Sequence, residues 1–333
     1  MKRRNAWTTY DEKQLTKLEK LCKNYIKFLD QGKTERECVK QIVKLAQEHG
    51  YVELTEVTKS GKPLKAGDKV YSVCMDKTVA MFQIGKKKLE KGMNILGAHI
   101  DSPRMDVKQN PLYESEDFAY LDTHYYGGIK KYQWVTLPLA LHGVIVKKDG
   151  SIETVNIGED KSDPVFCVTD LLIHLAGEQM EKKANKVIEG ENLDILVGSK
   201  PLKGEEKDAV KAGILAILKD KYGMDEEDFM SAEIEVVPAG RAREAGLDKS
   251  MIMSYGQDDR VCAYTSLAAM LEIENPDKTT CCLLTDKEEI GSVGATGMQS
   301  RFFENSVAEL MDAMGDFSEL SLRRCLANSS MLS

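Results

Sequence analysis

The stretch Asn94-Ile95-Leu96-Gly97-Ala98-His99-Ile100-Asp101-Ser102-Pro103 constrains this chain more than any other. Met93 to Ala98 is a short apolar run that reads as a buried strand. The proline at 103 stops it. The strand would therefore deliver an imidazole and a carboxylate to its C-terminal end. Neutral imidazole is a good zinc ligand. An aspartate two residues on can accept the other ring N–H, which fixes the tautomer and raises ligand basicity. Two later stretches look built to meet this one: Gly256-Gln257-Asp258-Asp259-Arg260 and Thr285-Asp286-Lys287-Glu288-Glu289-Ile290-Gly291-Ser292. Each follows an apolar run, so each is expected at a strand end. A lone His-x-Asp is a weak signal, and an isolated acidic pair is usually a solvated turn. Three such turns in the same strand-end setting point to a metal site.

Composition narrows the partners. The chain has 333 residues, 42% hydrophobic and 30% charged, enough for one large domain or two modest ones. A net charge of -8 argues against a nucleic-acid partner held through phosphates. The eight cysteines form no Cys-x-x-Cys pair, so free thiols in a reducing compartment are expected. The basic N-terminus is not followed by the apolar segment of a signal peptide. No apolar run approaches the length of a membrane span. The expectation is a soluble, cytoplasmic protein with no membrane partner.

The chain alternates strand, turn and helix. Thr9-Tyr10-Asp11-Glu12 and Thr34-Glu35-Arg36-Glu37 each fit a capping box ahead of an amphipathic helix. His49 falls in the last turn of the second helix, a dipole-favoured surface place. A hairpin is expected across Met75-Asp76-Lys77, and the strand bearing His99 follows. From Arg104 to Val236 the character changes. This region holds Tyr125-Tyr126-Gly127-Gly128, an apolar segment from Trp134 to Val146 and a lysine- and glutamate-rich stretch running to Asp228. Within that stretch, Lys203 to Asp208 is expected to be a solvated helix or loop. Thr169 or Asp170 is expected to cap a helix through Leu175. Glu233 to Val237 reads as a strand with one wet face. Helical spacing returns from Val261, from Phe302 to Met314 and from Leu320 to Leu326, with a buried strand at Cys281 to Leu284. The fold class this predicts is α/β: a central mixed sheet flanked by helices, interrupted by an insert. The expected parts are 1–103, an inserted domain 104–236, and 237–333.

Hydrolysis with two zinc ions needs a carboxylate shared between them, further ligands, and a carboxylate left free as general base. Asp258 is the best candidate for the shared group, with Asp259 and Arg260 beside it to orient or neutralise it. In Glu288-Glu289 one side chain can hold metal while its neighbour faces the water. The glycines from Gly291 to Gly297 are spaced Gly-x-x-Gly-x-x-Gly, which is neither a dinucleotide fingerprint nor a Walker loop. No Gly-x-Ser-x-Gly elbow is present.

Taken in order, five stretches resemble the aspartyl aminopeptidase family, within the clan of cocatalytic dinuclear zinc aminopeptidases. They are Gly97 to Pro103, Thr123-His124-Tyr125-Tyr126-Gly127-Gly128, Asp170-Leu171-Leu172-Ile173-His174-Leu175, Asp258-Asp259-Arg260, and Asp286 to Ser292. The resemblance implies that His99 ligates one zinc, with Asp101 holding its other nitrogen. It implies Asp258 as the bridging carboxylate, Glu288 as general base and Glu289 as a ligand of the second zinc. Cobalt or manganese could replace zinc. His174 matches a histidine that reaches the substrate pocket of a neighbouring subunit, against the plainer reading of a locally satisfied helix histidine. His124 and His142 match no ligand position and are taken as structural. Family members form homodimers through the inserted domain and assemble into a dodecameric shell.

The resemblance also implies two further zinc ligands: an aspartate just past Ser330-Met331-Leu332-Ser333, and a histidine near the family's C-terminus. A chain ending at Ser333 would then be expected to bind metal weakly. The activity implied is removal of N-terminal residues, acidic ones by family preference, from peptides by metal-activated water. Lys130 and Lys131 are candidate contacts for acidic side chains, against a plainer reading as solvent-facing lysines. The competing reading is a catalytically inactive homologue that keeps the insert and acts as an assembly or regulatory subunit.

Overall fold

The structure is a computed structural model and describes residues 4–333. Its contacts divide the chain into two units, Met1–Asp101 with Arg241–Ser333 and Ser102–Gly240. In chain order, the first segment holds α1 (Glu12–Gln31), α2 (Glu35–Glu48), β1 (Val52–Glu53), α3 (Leu54–Ser60), β2 (Lys69–Cys74), β3 (Thr78–Gln83) and β4 (Asn94–His99). The inserted unit holds β5 (Arg104–Ser115), β6 (Phe118–Tyr126), β7 (Leu139–Val146), β8 (Ile152–Ile157), α4 (Gly177–Met180), β9 (Ile195–Gly198), α5 (Ala209–Tyr222) and β10 (Ala232–Pro238). The chain then returns through β11 (Arg243–Ala245), β12 (Met251–Met253), α6 (Gln257–Glu272), β13 (Thr280–Thr285), α7 (Phe302–Ala313), α8 (Glu319–Ala327) and β14 (Ser330–Leu332).

The first unit is a three-layer α/β sandwich. Its sheet has the order β1-β2-β3-β13-β4-β14 and is mixed. β13 runs parallel to β4 and antiparallel to β3, and β14 is parallel to β4. Every residue of β3 is buried, and β13 is buried from Thr280 to Leu284, because helices cover both faces. Side-chain alternation sorts the core accordingly. Val79, Met81, Cys282, Leu284 and Ala98 face a cluster with Phe28 and Leu29 of α1, Ile42 of α2 and Leu267 of α6. Ala80, Phe82, Cys281, Leu283 and Ile95 face the other cluster, with Leu54 of α3, Val307 and Leu310 of α7, and Leu322 of α8. The pairing of β13 with β4 matters most for function. It sets Leu284 against Ala98 and Thr285 against His99, so two strands from distant parts of the sequence end side by side.

The second unit is built on an antiparallel sheet of order β8-β7-β10-β5-β6-β9. Its core includes Leu112, Leu121, Leu139, Ile145 and Val236. Among the described residues, no helix in either unit is long and apolar enough to cross a membrane.

Several expectations change on contact with the structure. Thr9 does not cap α1. Its hydroxyl is spent on the carbonyl of Ala6, closing a short 3-10 turn, and Asp11 caps instead, in a reciprocal box with Gln14. Thr34 and Glu37 do form the box expected of them. Residues 169–172 are not helical. Asp170 turns its carboxylate to the amide of Leu171 and the side chain of Gln179, and only a 3-10 turn, Ile173–Leu175, follows. The solvated stretch from Lys203 is bends and turns until α5 begins at Ala209. β10 has no wet face at Glu235, which is buried with its carboxylate 3.1 Å from Nε of Arg104. β12 is no strand of the main sheet. It forms a two-stranded ribbon with β11, so Asp258 follows a hairpin and not a sheet strand. All eight cysteines are free, and burial pushes the thiols of Cys38 and Cys282 up to about 12.

Candidate metal centre

The centre lies wholly within the first unit, at the C-terminal ends of β4 and β13. β4 ends on His99, whose side chain is only 9% exposed. Its Nδ1 lies 3.0 Å from the backbone oxygen of Asp101 and 3.3 Å from that residue's Oδ1. The ring is thereby fixed with Nε2 pointing outward. Nε2 stands 3.3 Å from Oδ1 of Asp258 and 3.8 Å from Oε2 of Glu288. Donor atoms of His99, Glu288 and Glu289 all lie within 4.8 Å of one another.

Asp101 does more than hold the histidine. Its Oδ1 accepts the amide of Glu288 and its Oδ2 accepts the amide of Glu289, each at 3.2 Å. One buried carboxylate therefore sets the imidazole and the acidic turn in a common frame. The turn itself is a 3-10 segment, Glu288–Ile290, entered through Lys287 and left through Gly291, both in the left-handed region. The glycine suits that conformation and the lysine tolerates it at a cost.

Asp258 is placed by the start of α6. Gly256 adopts a left-handed conformation there, Asp258 and Asp259 depart from helical geometry, and the peptide between them is cis. Arg260 is almost fully buried. It donates from Nε to the carbonyl of Ile100 and from an Nη to the carbonyl of Lys33, and its guanidinium lies 5.5 Å from the Tyr255 ring centre. It thus ties the head of α6 to the end of β4. The side chain of Asp258 remains 89% exposed and that of Glu288 57% exposed, whereas Glu289 is partly sheltered.

Burial and mutual charge set the titration of the centre. Burial disfavours a charged His99, yet the hydrogen bond and charge of Asp101, with Glu288 adding, hold its pKa up at about 9. Burial raises the carboxyl of Glu289; His99 pulls it back, and Asp101, Glu288 and Asp258 push it further up. Four carboxylates share one imidazole. Nitrogen and carboxylate oxygen are the donors zinc takes at roughly 2.0–2.2 Å, so two ligands of one tetrahedral ion stand about 3.4 Å apart. The 3.3 Å between Nε2 of His99 and Oδ1 of Asp258 fits that spacing. The residues present therefore suit a zinc ion.

Comparison with known proteins decides the family. The sequence profile of the aminopeptidase I zinc metalloproteases (M18) matches residues 28–333. A probable M18 family aminopeptidase 1 of Clostridium acetobutylicum is 61% identical over 331 residues, 99% of this chain and 71% of that protein. The chain belongs to the M18 family. It is, with that family, a zinc aminopeptidase. The fold agrees. An M18 aminopeptidase structure from Thermotoga maritima superposes with a TM-score of 0.93 at 44% identity, covering 99% of this chain and 71% of that one. Aminopeptidase I of C. acetobutylicum gives 0.88 at 57% identity, covering all of this chain and 72% of that one. The Saccharomyces cerevisiae mApe1 dodecamer shares the fold at 0.72 and 20% identity, covering 95% of this chain and 71% of that one.

Of the residues singled out in the M18 sequence, His99, Asp101, Asp258, Glu288 and Glu289 come together. His174 belongs to the other unit, exposed on its 3-10 turn. His124 is exposed on β6, and His142 is buried on β7 with Nε2 3.3 Å from Glu159. Sequence reading missed the two amide contacts of Asp101. It also missed the buried ring of Thr78, Asp286 and Thr296 beneath the acidic turn. Backbone partners leave no side-chain pattern, and two threonines 218 positions apart offer no spacing to read.

Proposed function

We propose that His99, Asp258 and Glu289 hold the metal of this zinc aminopeptidase, and that Glu288 is its general base. The observation that carries this is the approach of Asp258 and Glu288 to Nε2 of a histidine whose other nitrogen is held by Asp101. Glu289 is the more sheltered of the acidic pair and is suited to a ligand's fixed place. Glu288 is the more exposed and is free to meet water. When bound, zinc supplies Lewis acidity that makes a neighbouring water a usable nucleophile near neutral pH.

The protein's own groups do the rest. Asp101 keeps the imidazole in the tautomer that offers Nε2 and holds the amides of Glu288 and Glu289 in place. Glu288 takes the proton of the attacking water and returns it to the leaving amine of the peptide. Asp258, 3.3 Å from Nε2 of His99, would be the carboxylate shared between two ions if a second is bound. We further assign acidic N-terminal residues as the preferred substrates, the cytoplasm as the location, and self-association, from dimer to dodecamer, through the inserted unit. In the assembly, His174 would serve a neighbouring subunit's pocket. The dodecamer of the yeast neighbour supports self-association.

The test is hydrolysis of aminoacyl anilides with added zinc, comparing the protein with Glu288→Gln. Turnover that falls by about 10²–10⁴-fold, with zinc content unchanged, supports the base assignment. Turnover equal to wild type overturns it.

A further inference from the structure

The acidic turn lies in a loop that buries little of itself. Between Asp286 and Gly297 its only regular element is the 3-10 turn, and Ile290 and Val293 are exposed. Apolar packing therefore does not explain why Glu288 and Glu289 keep one place. A closed polar ring beneath the loop does. The amide of Asp286 donates to Oγ1 of Thr78 at 3.0 Å. That hydroxyl donates in turn to the carbonyl of Thr296 at 2.6 Å. Oγ1 of Thr296 donates to Oδ2 of Asp286 at 2.6 Å, and the amide of Lys287 donates to Oδ1 at 2.8 Å. All three side chains are at least 97% buried, and Asp286 and Gly297 form a β-bridge.

The ring thus joins both ends of the loop to each other and to β3. The loop is also drawn tight above it, since a Cβ at Gly297 would lie 2.2 Å from the Ser292 oxygen. Burying a carboxylate and two hydroxyls gains little stability by itself, because desolvation offsets the hydrogen bonds. What such a network confers is one geometry.

We infer that Thr78, Asp286 and Thr296 are positioning residues for the Glu288-Glu289 pair: a clasp at the root of the loop that complements Asp101 at its tip. The inference rests on the proposed roles of Glu288 and Glu289. None of the three touches the metal position. They act through the backbone that carries Glu288 and Glu289, and a shift of about 1 Å in such groups can cost on the order of a hundredfold in rate.

Thr296→Val removes the hydroxyl and keeps the shape, and Thr296→Ser restores the hydroxyl. Three readouts separate positioning from mere folding. In the metal-free protein, amide exchange across 287–291 should rise about tenfold or more in the valine variant, while β3 and β13 stay protected. Zinc affinity, measured by titration, should weaken by about 10–100-fold. With zinc saturating, kcat for an aminoacyl anilide should fall while KM holds. The serine variant should recover all three. A valine variant matching wild type in exchange and zinc affinity overturns the inference. So does faster exchange spread equally through β3 and β13, or a serine variant as impaired as valine. Glu288→Gln separates the two layers: if it keeps full turnover, the base assignment fails, while exchange and zinc affinity still judge the clasp.

Discussion

At Asp101 one carboxylate serves three groups, the Nδ1 edge of His99 and the amides of Glu288 and Glu289. Asp101→Asn puts an N–H where one of those donors needs an acceptor and removes the charge that sustains the imidazolium. Zinc affinity is expected to fall by about 10–100-fold, read by competition with a chromophoric chelator. The same substitution should alter pH dependence in the metal-free protein. The folded pKa of His99, about 9, exceeds the ordinary 6.5, so its stabilisation is full below 6.5 and is lost as pH rises through 9. Denaturant midpoints taken from pH 6 to pH 10 should decline across that window in wild type and stay flatter in Asp101→Asn. At this scale the sequence was informative about donors and silent about their fastening. His99, Asp258, Glu288 and Glu289 announce themselves as chemistry-bearing types after apolar runs. The backbone contacts of Asp101 carry no such mark, because any residue can supply an amide.

Among the elements, β3, β4 and β13 were legible because unbroken apolar runs have few uses other than a strand covered on both faces. Phe82 shows the consequence. It is fully buried and stacks with Phe303, ring centres 6.5 Å apart. Phe82→Ala is expected to cost about 3–5 kcal/mol in urea unfolding. The head of α6 was less legible. Arg260 reads as a partner for the neighbouring acids, yet it is buried and spends its donors on the carbonyls of Ile100 and Lys33. Arg260→Met should destabilise the fold by about 1–3 kcal/mol through carbonyls left without a donor. It should also weaken zinc binding, because Asp258 rides on the same turn. The helix expected from Thr169 failed for a related reason. A short polar side chain with several partners in reach does not always cap the residues after it, and Asp170 chose Gln179.

For the whole molecule, the inserted unit poses the main physical question. Leu171, Leu172, Ile173 and Leu175 are each more than half exposed, four large apolar side chains in five residues. Such a patch is the mark of an association surface. Ile173→Asp combined with Leu175→Asp is expected to shift the proposed oligomer towards monomer in light scattering, with the β-sheet signal intact by circular dichroism; a mass equal to wild type would overturn the proposed association through this patch. Sequence could flag the insert by its change of character, and it could not order the strands of either sheet. The insertion of β13 between β3 and β4 follows from long-range packing that no local pattern encodes, and that placement is what brings Glu288 to His99. The most direct test of the centre is therefore a zinc-edge anomalous difference map from crystals grown with zinc. The expected result is a peak at Nε2 of His99, within bonding reach of Asp258, with the Glu289 carboxylate engaged in the same centre and Glu288 left uncoordinated. Zinc bound elsewhere with His99 bare, or Glu288 taken up as a ligand, would contradict the account.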